Sequence, residues 1–82
     1  SVKCIQQFFD ALSRGDKTFE VRYNDRDYRI GDIIVLNCIL PEFPDIMMPH
    51  VAPISFKISY VLAGQEWGIQ NGYVVLGLQR FT

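Results

Sequence analysis

Residues 15–32 read GDKTFEVRYNDRDYRIGD, and this stretch carries the strongest structural signals in the chain. Gly15 can adopt the left-handed conformation that ends a helix, so a helix is predicted before it. From Lys17 to Tyr23 apolar and polar side chains alternate, as they do in half-buried strands. The stretch therefore predicts a helix end, a strand and then turns rich in Asn, Asp and Gly.

The two faces of this strand differ in chemistry. Because side chains alternate across a strand, Phe19 and Val21 are predicted to face the core. Thr18, Glu20 and Arg22 then share the opposite face. Glu20 and Arg22 can form a solvated ion pair, which contributes only about 0–1 kcal/mol, or they can belong to a recognition surface. The pattern alone favours the solvated pair and leaves the recognition surface open.

The same residues resemble the signature of a known family. Gly15, Lys17, Glu20 and Arg22 match the GxKxxExR pattern of the ASCH domain, a PUA-like β-barrel. The NDRD and GD motifs that follow, as far as Asp32, narrow the resemblance to the small bacterial and phage branch named DUF3850. A looser resemblance near the C-terminal end extends the match over most of the chain.

This resemblance implies a ligand cleft between the barrel and its helix. Lys17, Glu20 and Arg22 would line the cleft. Lys3 is either a solvated lysine or the counterpart, facing the cleft, of a basic residue that the family carries near the N-terminal end of the domain. Arg26 lies in a predicted turn where a long cation has no local structural role. It is predicted either to lie across the barrel or to reach a phosphate.

Length and composition predict one globular domain over residues 1–82. Hydrophobic residues make up 49% of the chain, which is enough for a core and excludes a disordered tail. Apolar runs are far shorter than the roughly 20 residues of a transmembrane helix, so we expect a cytoplasmic protein without membrane association. Cys4 and Cys38 lack metal-ligand spacing and are predicted to be free, buried thiols; no metal and no cofactor are predicted.

The charge balance limits the kind of partner. The net charge is −1, and from Arg14 to Arg29 five basic residues stand beside four acidic ones. Non-specific binding of nucleic acids depends on Lys and Arg neutralising phosphates, so the domain is not a general polyanion binder. A nucleic-acid partner would be recognised by shape, stacking and a few placed groups.

The remaining pattern predicts a mainly β fold with one or two short helices (α+β), arranged as a small PUA-like β-barrel closed by an N-terminal helix. Ile5, Phe8, Phe9 and Leu12 have the spacing of a helix with one buried face. Strands are predicted at 2–3, 17–23, 33–40, 54–62 and 73–78. Residues 41–53 hold all four prolines and are predicted to be a long loop that covers the barrel mouth or offers a contact surface.

The helix and strand periods predict one contiguous core. Its predicted members are Phe8, Phe9, Leu12, Phe19, Val21, Ile33, Val35, Ile58 and Leu76. Strict alternation from Ile54 to Leu62 also places Tyr60 on the same face as Ile58.

The sequence is compatible with three functions. The first, which the resemblance implies, is that of a module that binds RNA or a nucleotide. A carboxylate such as Glu20 accepts from the exocyclic amine of a base. Arg22 offers a planar fork of donors, and Lys17 a mobile positive charge.

The second function is an amidohydrolase acting on a modified nucleoside such as N4-acetylcytidine, because one branch of the ASCH superfamily has this activity. That branch uses a Lys that matches Lys17, a Thr at the position of Glu20, and a downstream Glu for which Glu66 is the only obvious candidate. Glu20 is not a nucleophile, and a lysine beside a carboxylate tends to keep the proton that a base must lose. An enzyme is therefore the less favoured interpretation.

The third function is a protein-interaction domain, as ASCH-containing coactivators imply, with a protein partner bound through residues 41–53. A deep cleft on which Lys17 and Arg22 converge would favour the first two functions. A flat barrel wall beside an apolar patch of Met47 and Met48 would favour the third.

Overall fold

The computed structural model describes residues 1–64 and 67–81, and this part of the chain is mainly β with one α-helix. The elements in chain order are β1 (Val2–Ile5), α1 (Gln6–Arg14), β2 (Phe19–Tyr23), β3 (Ile33–Leu40), β4 (Phe43–Met47), β5 (Ile54–Ala63) and β6 (Tyr73–Arg80). The strands form one sheet in the order β1-β3-β5-β6-β2, with β4 paired to β3. Only β1 and β3 are parallel. The sheet curls into a half-barrel, and β1 and β2 are its two end strands.

The predicted helix is present and ends where the sequence indicates. Gly15 has φ of 84°, in the left-handed region, and its N–H donates to the Leu12 carbonyl at 3.2 Å. Phe9 and Leu12 are buried, whereas Phe8 is 39% exposed. The helix packs on β1 and β3, so its buried stripe is narrower than the spacing of apolar residues indicates.

The core lies inside the curl of the sheet, under α1. It consists of Val2, Cys4, Phe9, Leu12, Tyr28, Ile34, Leu36, Cys38, Phe56, Ile58, Val74, Leu76 and Leu78. Of the predicted core, Phe9, Leu12, Ile58 and Leu76 are confirmed. The prediction was wrong for Phe8, Phe19, Val21 and Ile33, which are exposed, and Val35 is only half-buried.

The face of β2 is inverted relative to the prediction, and the strand register gives the reason. Glu20 lies directly opposite Leu76 of β6, and directly opposite residues share a face of the sheet. Leu76 is fully buried, so Glu20 points into the core and is only 6% exposed, while Phe19 and Val21 point out. Alternation fixes two faces but not which of them is inside.

The inward face of β3 is likewise not decided by the pattern of its sequence. Its residues 33–36 are an unbroken apolar run, so periodicity does not select a face. The parallel register with β1 pairs Val2 with Leu36 and Cys4 with Cys38, which places the even-numbered residues inside. Ile33 is consequently exposed.

A β-bulge in β5 corrects the predicted position of Tyr60. Ile58 is opposite Leu78, but Tyr60 is opposite Gly77, so Ser59 is the extra residue on this strand. A bulge shifts the alternation by one residue. Tyr60 is therefore 60% exposed, although strict alternation predicts it beside Ile58.

The predicted 41–53 loop is wrong in part, because it contains β4. Phe43–Met47 pairs with the end of β3 across an irregular register, and all five of its residues are exposed. Within the described chain β4 pairs only with β3, and proline is tolerated at such a sheet edge. Met48 packs against the core, so it does not form a patch with the exposed Met47.

No helix in residues 1–64 and 67–81 combines the length and the apolar character needed to cross a membrane.

Candidate functional site

A cavity lies at the seam, which we define as the gap between the end strands β1 and β2. Its volume is about 560 Å³, and we call it the seam cleft. It is lined by Lys3, Cys4, Ile5, Phe8, Lys17, Phe19, Glu20, Val21, Arg22, Tyr23 and Asp25. Because β1 and β2 are not hydrogen-bonded to each other in the described chain, side chains rather than backbone bonds bridge this gap.

Two contacts span the seam. The Arg22 Nη1 on β2 donates to the carbonyl of Lys3 on β1 at 3.1 Å. The Cys4 Sγ on β1 lies 3.9 Å from the Glu20 Oε2 on β2. The cleft therefore has a polar floor at the point where the half-barrel is open.

Glu20 is the centre of this floor. It is the one buried charged residue in the described part of the chain. The Lys17 ammonium is ion-paired with its Oε1, and the Arg22 Nη1 donates to its Oε2 at 3.2 Å. A buried carboxylate needs such partners, because an isolated buried charge is strongly unfavourable. The inversion of β2 thus replaces the predicted solvated pair by a buried carboxylate with two half-buried cations.

Lys17 is held by aromatic rings as well as by Glu20. Its Nζ lies 4.7 Å from the ring centre of Phe8 and 5.2 Å from that of Phe19. A cation over an aromatic face is stabilised by the ring quadrupole, by about 0.5–1 kcal/mol at exposed sites. These two exposed rings and the ammonium form one side of the cleft.

Tyr23 forms part of the outer wall. It is 58% exposed and makes an edge-on contact with Tyr73, with ring centres 5.4 Å apart and an interplanar angle of 76°. Gly72 lies beneath this ring, and a Cβ there would come within 2.7 Å of a Tyr23 ring carbon. Because Gly72 has no side chain, the Tyr23 ring can occupy its position on the wall of the cleft.

Cys4 brings a thiol to the same floor. Burial and, after it, the Glu20 carboxylate raise the pKa of Cys4 from the ordinary 9.0 to about 12, against the opposing effect of Lys17 and Arg22. The Cys38 thiol, its neighbour across β1 and β3, also has a raised pKa, mainly through burial. Both thiols are free, and both are held in the protonated form at neutral pH.

This pKa shift predicts a pH dependence of stability. The Cys4 pKa is higher in the folded protein than in the unfolded chain, so the stabilisation from a neutral thiol is complete below pH 9 and is lost as the pH rises towards 12. We expect the denaturation midpoint of the parent protein to fall more steeply above pH 9 than that of Cys4→Ala. Urea titrations at several pH values measure both slopes; parallel slopes would contradict the assignment.

The sequence-predicted site residues do not all come together. Lys3, Lys17, Glu20 and Arg22 line the seam cleft. Arg26 does not, since its Nη1 donates to the carbonyl of Ser1 at 3.1 Å, beside a neighbouring depression. Glu66 lies outside the described residues.

Sequence reasoning missed the other residues that line the cleft, among them Cys4, Phe8, Phe19 and Tyr23. Phe8 and Phe19 were predicted to be core, and Cys4 was predicted to be a free, buried thiol without a place in the site. The signal that locates Phe19 and Cys4 is the pairing of β2 with β6 and of β1 with β3, which is long-range information. Among residues 1–64 and 67–81, no three His, Cys, Asp or Glu side chains are close enough to hold a metal ion.

Comparison with known proteins places the chain in a family. No curated protein matches the chain significantly. The family described as a domain of unknown function, DUF3850, matches residues 1–78, which is nearly the whole chain and includes every residue of the seam cleft. The chain is therefore a member of the DUF3850 family.

Proposed function

We propose that this half-barrel is an ASCH domain of the PUA-like class, closed by its N-terminal helix, and that its seam cleft binds a nucleobase of RNA or of a nucleotide. The observation that carries the proposal is the buried Glu20 carboxylate at the floor of an open cleft with exposed aromatic rings on its walls. The convergence of Lys17, Glu20 and Arg22 supports the ASCH assignment, because these residues carry the GxKxxExR signature.

The floor has hydrogen-bonding capacity to spare. A carboxylate offers about four acceptor positions. The described contacts to Glu20 come from Lys17, Arg22 and Cys4, which leaves one position for the exocyclic amine of a base. Within the described chain, the Arg22 guanidinium makes its hydrogen bonds through Nη1. Its Nε and Nη2 can therefore donate to a base edge or a phosphate.

The walls suit a planar, apolar-faced ligand. Phe8, Phe19 and Tyr23 are between 39% and 58% exposed and line the same cleft, and contiguous exposed apolar surface marks binding sites more often than scattered single residues do. Stacking of a base on such a ring is worth about 1–3 kcal/mol and tolerates any base. The cleft volume of about 560 Å³ lies within the range of small-molecule sites.

An amidohydrolase is the alternative, and the chemistry of the cleft gives it less support. Of the described residues that line the cleft, none is a serine, a threonine or a histidine, and Thr18 is exposed outside it. Cys4 is the strongest nucleophile there, yet burial raises its pKa, which disfavours the reactive thiolate. Binding without turnover is the better-supported function.

A protein contact through residues 41–53 has one observation in its favour. On β4, Phe43, Ile46 and Met47 are each more than half exposed on a strand with an unpaired side. Such an edge can bind another protein. If the domain binds no nucleic-acid probe and self-associates in a way that Ile46→Lys abolishes, this function replaces the first.

Calorimetric titration of the protein with the common ribonucleosides, their monophosphates, short single-stranded RNA and N4-acetylcytidine tests the proposal. We expect saturable binding of at least one nucleoside at one site per chain. Release of acetate from N4-acetylcytidine would establish the enzyme instead. The absence of binding to every probe would refute the proposed function.

A further inference from the structure

A second depression adjoins the seam cleft and shares two basic residues with it. It has a volume of about 400 Å³ and is lined by Ser1, Val2, Lys3, Arg22, Arg26, Asn37 and Met47. We call it the basic depression. Lys3 and Arg22 line both cavities, so a ligand seated in the cleft reaches the depression by passing Arg22.

The basic depression has one sign of charge. Three of its lining residues are cations, and none carries a carboxylate. Asp45 reaches the Lys3 Nζ at 3.5 Å from outside, but its side chain is 96% exposed, so this pair is well screened by solvent. Arg22 also pairs with the buried Glu20 of the neighbouring cleft. In a chain with net charge −1, three cations at one spot still form a local feature rather than a general basic surface.

The donors of the depression are only partly used within the described chain. Arg26 donates through Nη1 to the Ser1 carbonyl, and Arg22 donates through Nη1 to the Lys3 carbonyl and Glu20. Each guanidinium has five N–H donors in a planar fork that matches phosphate oxygens. The Asn37 Nδ2 donates to the Ser1 hydroxyl at 2.9 Å and to the Val2 carbonyl at 3.4 Å, so the donors of this amide are already in use on the same wall.

We propose that the basic depression is a phosphate subsite, so that the ligand is a phosphorylated nucleotide unit with its base in the seam cleft and its phosphate between Lys3, Arg22 and Arg26. This inference rests on the proposed function, because it takes the base to lie in the cleft. A mononucleotide and the backbone of a single strand supply the same phosphate chemistry. The depression has room for one such group, and the other described arginines lie elsewhere.

The chain offers a matched control for the test. Arg26 and Arg29 belong to the same segment between β2 and β3 and carry the same charge. Arg29 is paired with Asp27 at 2.7 Å and lines neither the cleft nor the depression. Arg26→Ala and Arg29→Ala therefore remove equal charge, and only the first removes a donor from the proposed subsite.

The experiment compares the affinity of a nucleoside with that of its 5′- and 3′-monophosphates for the parent protein and both variants. In the parent, one monophosphate is expected to bind about tenfold tighter than the nucleoside, as one charge-assisted contact allows. Arg26→Ala should abolish most of this gain and leave nucleoside binding unchanged. Arg29→Ala should preserve both affinities within about twofold. Circular dichroism checks that both variants are folded.

A dinucleotide with one internal phosphate distinguishes the two sources of the phosphate, which are the backbone of a single strand and a free nucleotide. Tighter binding of the dinucleotide than of the monophosphates identifies a strand, and the reverse order identifies a free nucleotide. If nucleosides bind but the phosphate adds nothing, or if Arg29→Ala weakens binding as much as Arg26→Ala, the subsite is refuted while the proposed function stands. If neither nucleosides nor monophosphates bind the parent, both inferences fail.

Discussion

Replacing Phe9 by alanine is expected to lower the free energy of unfolding by about 3–5 kcal/mol, the usual loss when a buried phenylalanine leaves a cavity. Phe9 is 4% exposed and packs in the core with Leu12. A small domain has a total stability of only about 5–15 kcal/mol, so this variant should be partly unfolded under mild denaturing conditions. Urea titration followed by circular dichroism measures the loss.

The adjacent Phe8 is the matched control, because it lies on the same helix but on the wall of the cleft. It is 39% exposed and contacts the Lys17 ammonium. Phe8→Ala should cost at most about 1–2 kcal/mol of stability, since much of the ring is already in water. It should weaken nucleobase binding by roughly tenfold or more, as the loss of a stacking ring does. Equal destabilisation by the two substitutions would show that both rings are core.

Glu20→Gln is expected to have the largest effect on binding. The substitution keeps the shape of the side chain but removes the charge that Lys17 and Arg22 share. One of its two terminal atoms becomes a donor and opposes these cations, so the floor no longer offers an acceptor in the same geometry. Nucleobase affinity should fall by about a hundredfold, in line with the loss of a buried charged contact.

The same substitution should also cost stability. If Glu20 and Arg22 formed the solvated pair that the strand pattern predicts, Glu20→Gln would hardly change the free energy of unfolding. Glu20 is only 6% exposed, so a loss of stability is expected. Because the two cations keep some solvent access, the expected cost is about 1–3 kcal/mol rather than the full penalty for a broken buried pair. Glu42→Gln, at an exposed turn, is the control. If Glu20→Gln matches this control in both stability and binding, the cluster has no role.

The parts of the fold that sequence predicts are those set by local chemistry. Gly15 ends the helix in the conformation that glycine tolerates, and the alternation that follows it is a strand. The parts that sequence does not predict depend on pairing. The inward face of β2 is fixed by its register with Leu76, and the exposure of Tyr60 is fixed by the bulge at Ser59. No residue near these positions carries that information.

In the candidate site, too, some features can be predicted from local sequence and others depend on long-range strand pairing. The convergence of Lys17, Glu20 and Arg22 can be expected from their spacing together with the resemblance they carry, and the structure brings them together. The burial of Glu20 was not predicted, because a charged residue in an alternating strand is usually assigned to the solvent face. The aromatic walls were not predicted either, since Phe8 and Phe19 satisfy the apolar period that normally indicates a core. The site exposes aromatic rings and buries a carboxylate, so it departs both from the rule that apolar periodicity indicates a core and from the rule that charged residues lie in solvent.

The central claim is that the seam cleft holds a nucleobase on Glu20, and a nuclear magnetic resonance titration of isotope-labelled protein with nucleosides tests it most directly. The account predicts that a binding nucleoside shifts the amide signals of β1, the start of α1 and β2, and leaves those of β4 and of Arg29 unchanged. In Glu20→Gln these shifts should disappear at the same nucleoside concentration. Shifts centred on β4, or equal shifts in the parent and in Glu20→Gln, would contradict the claim.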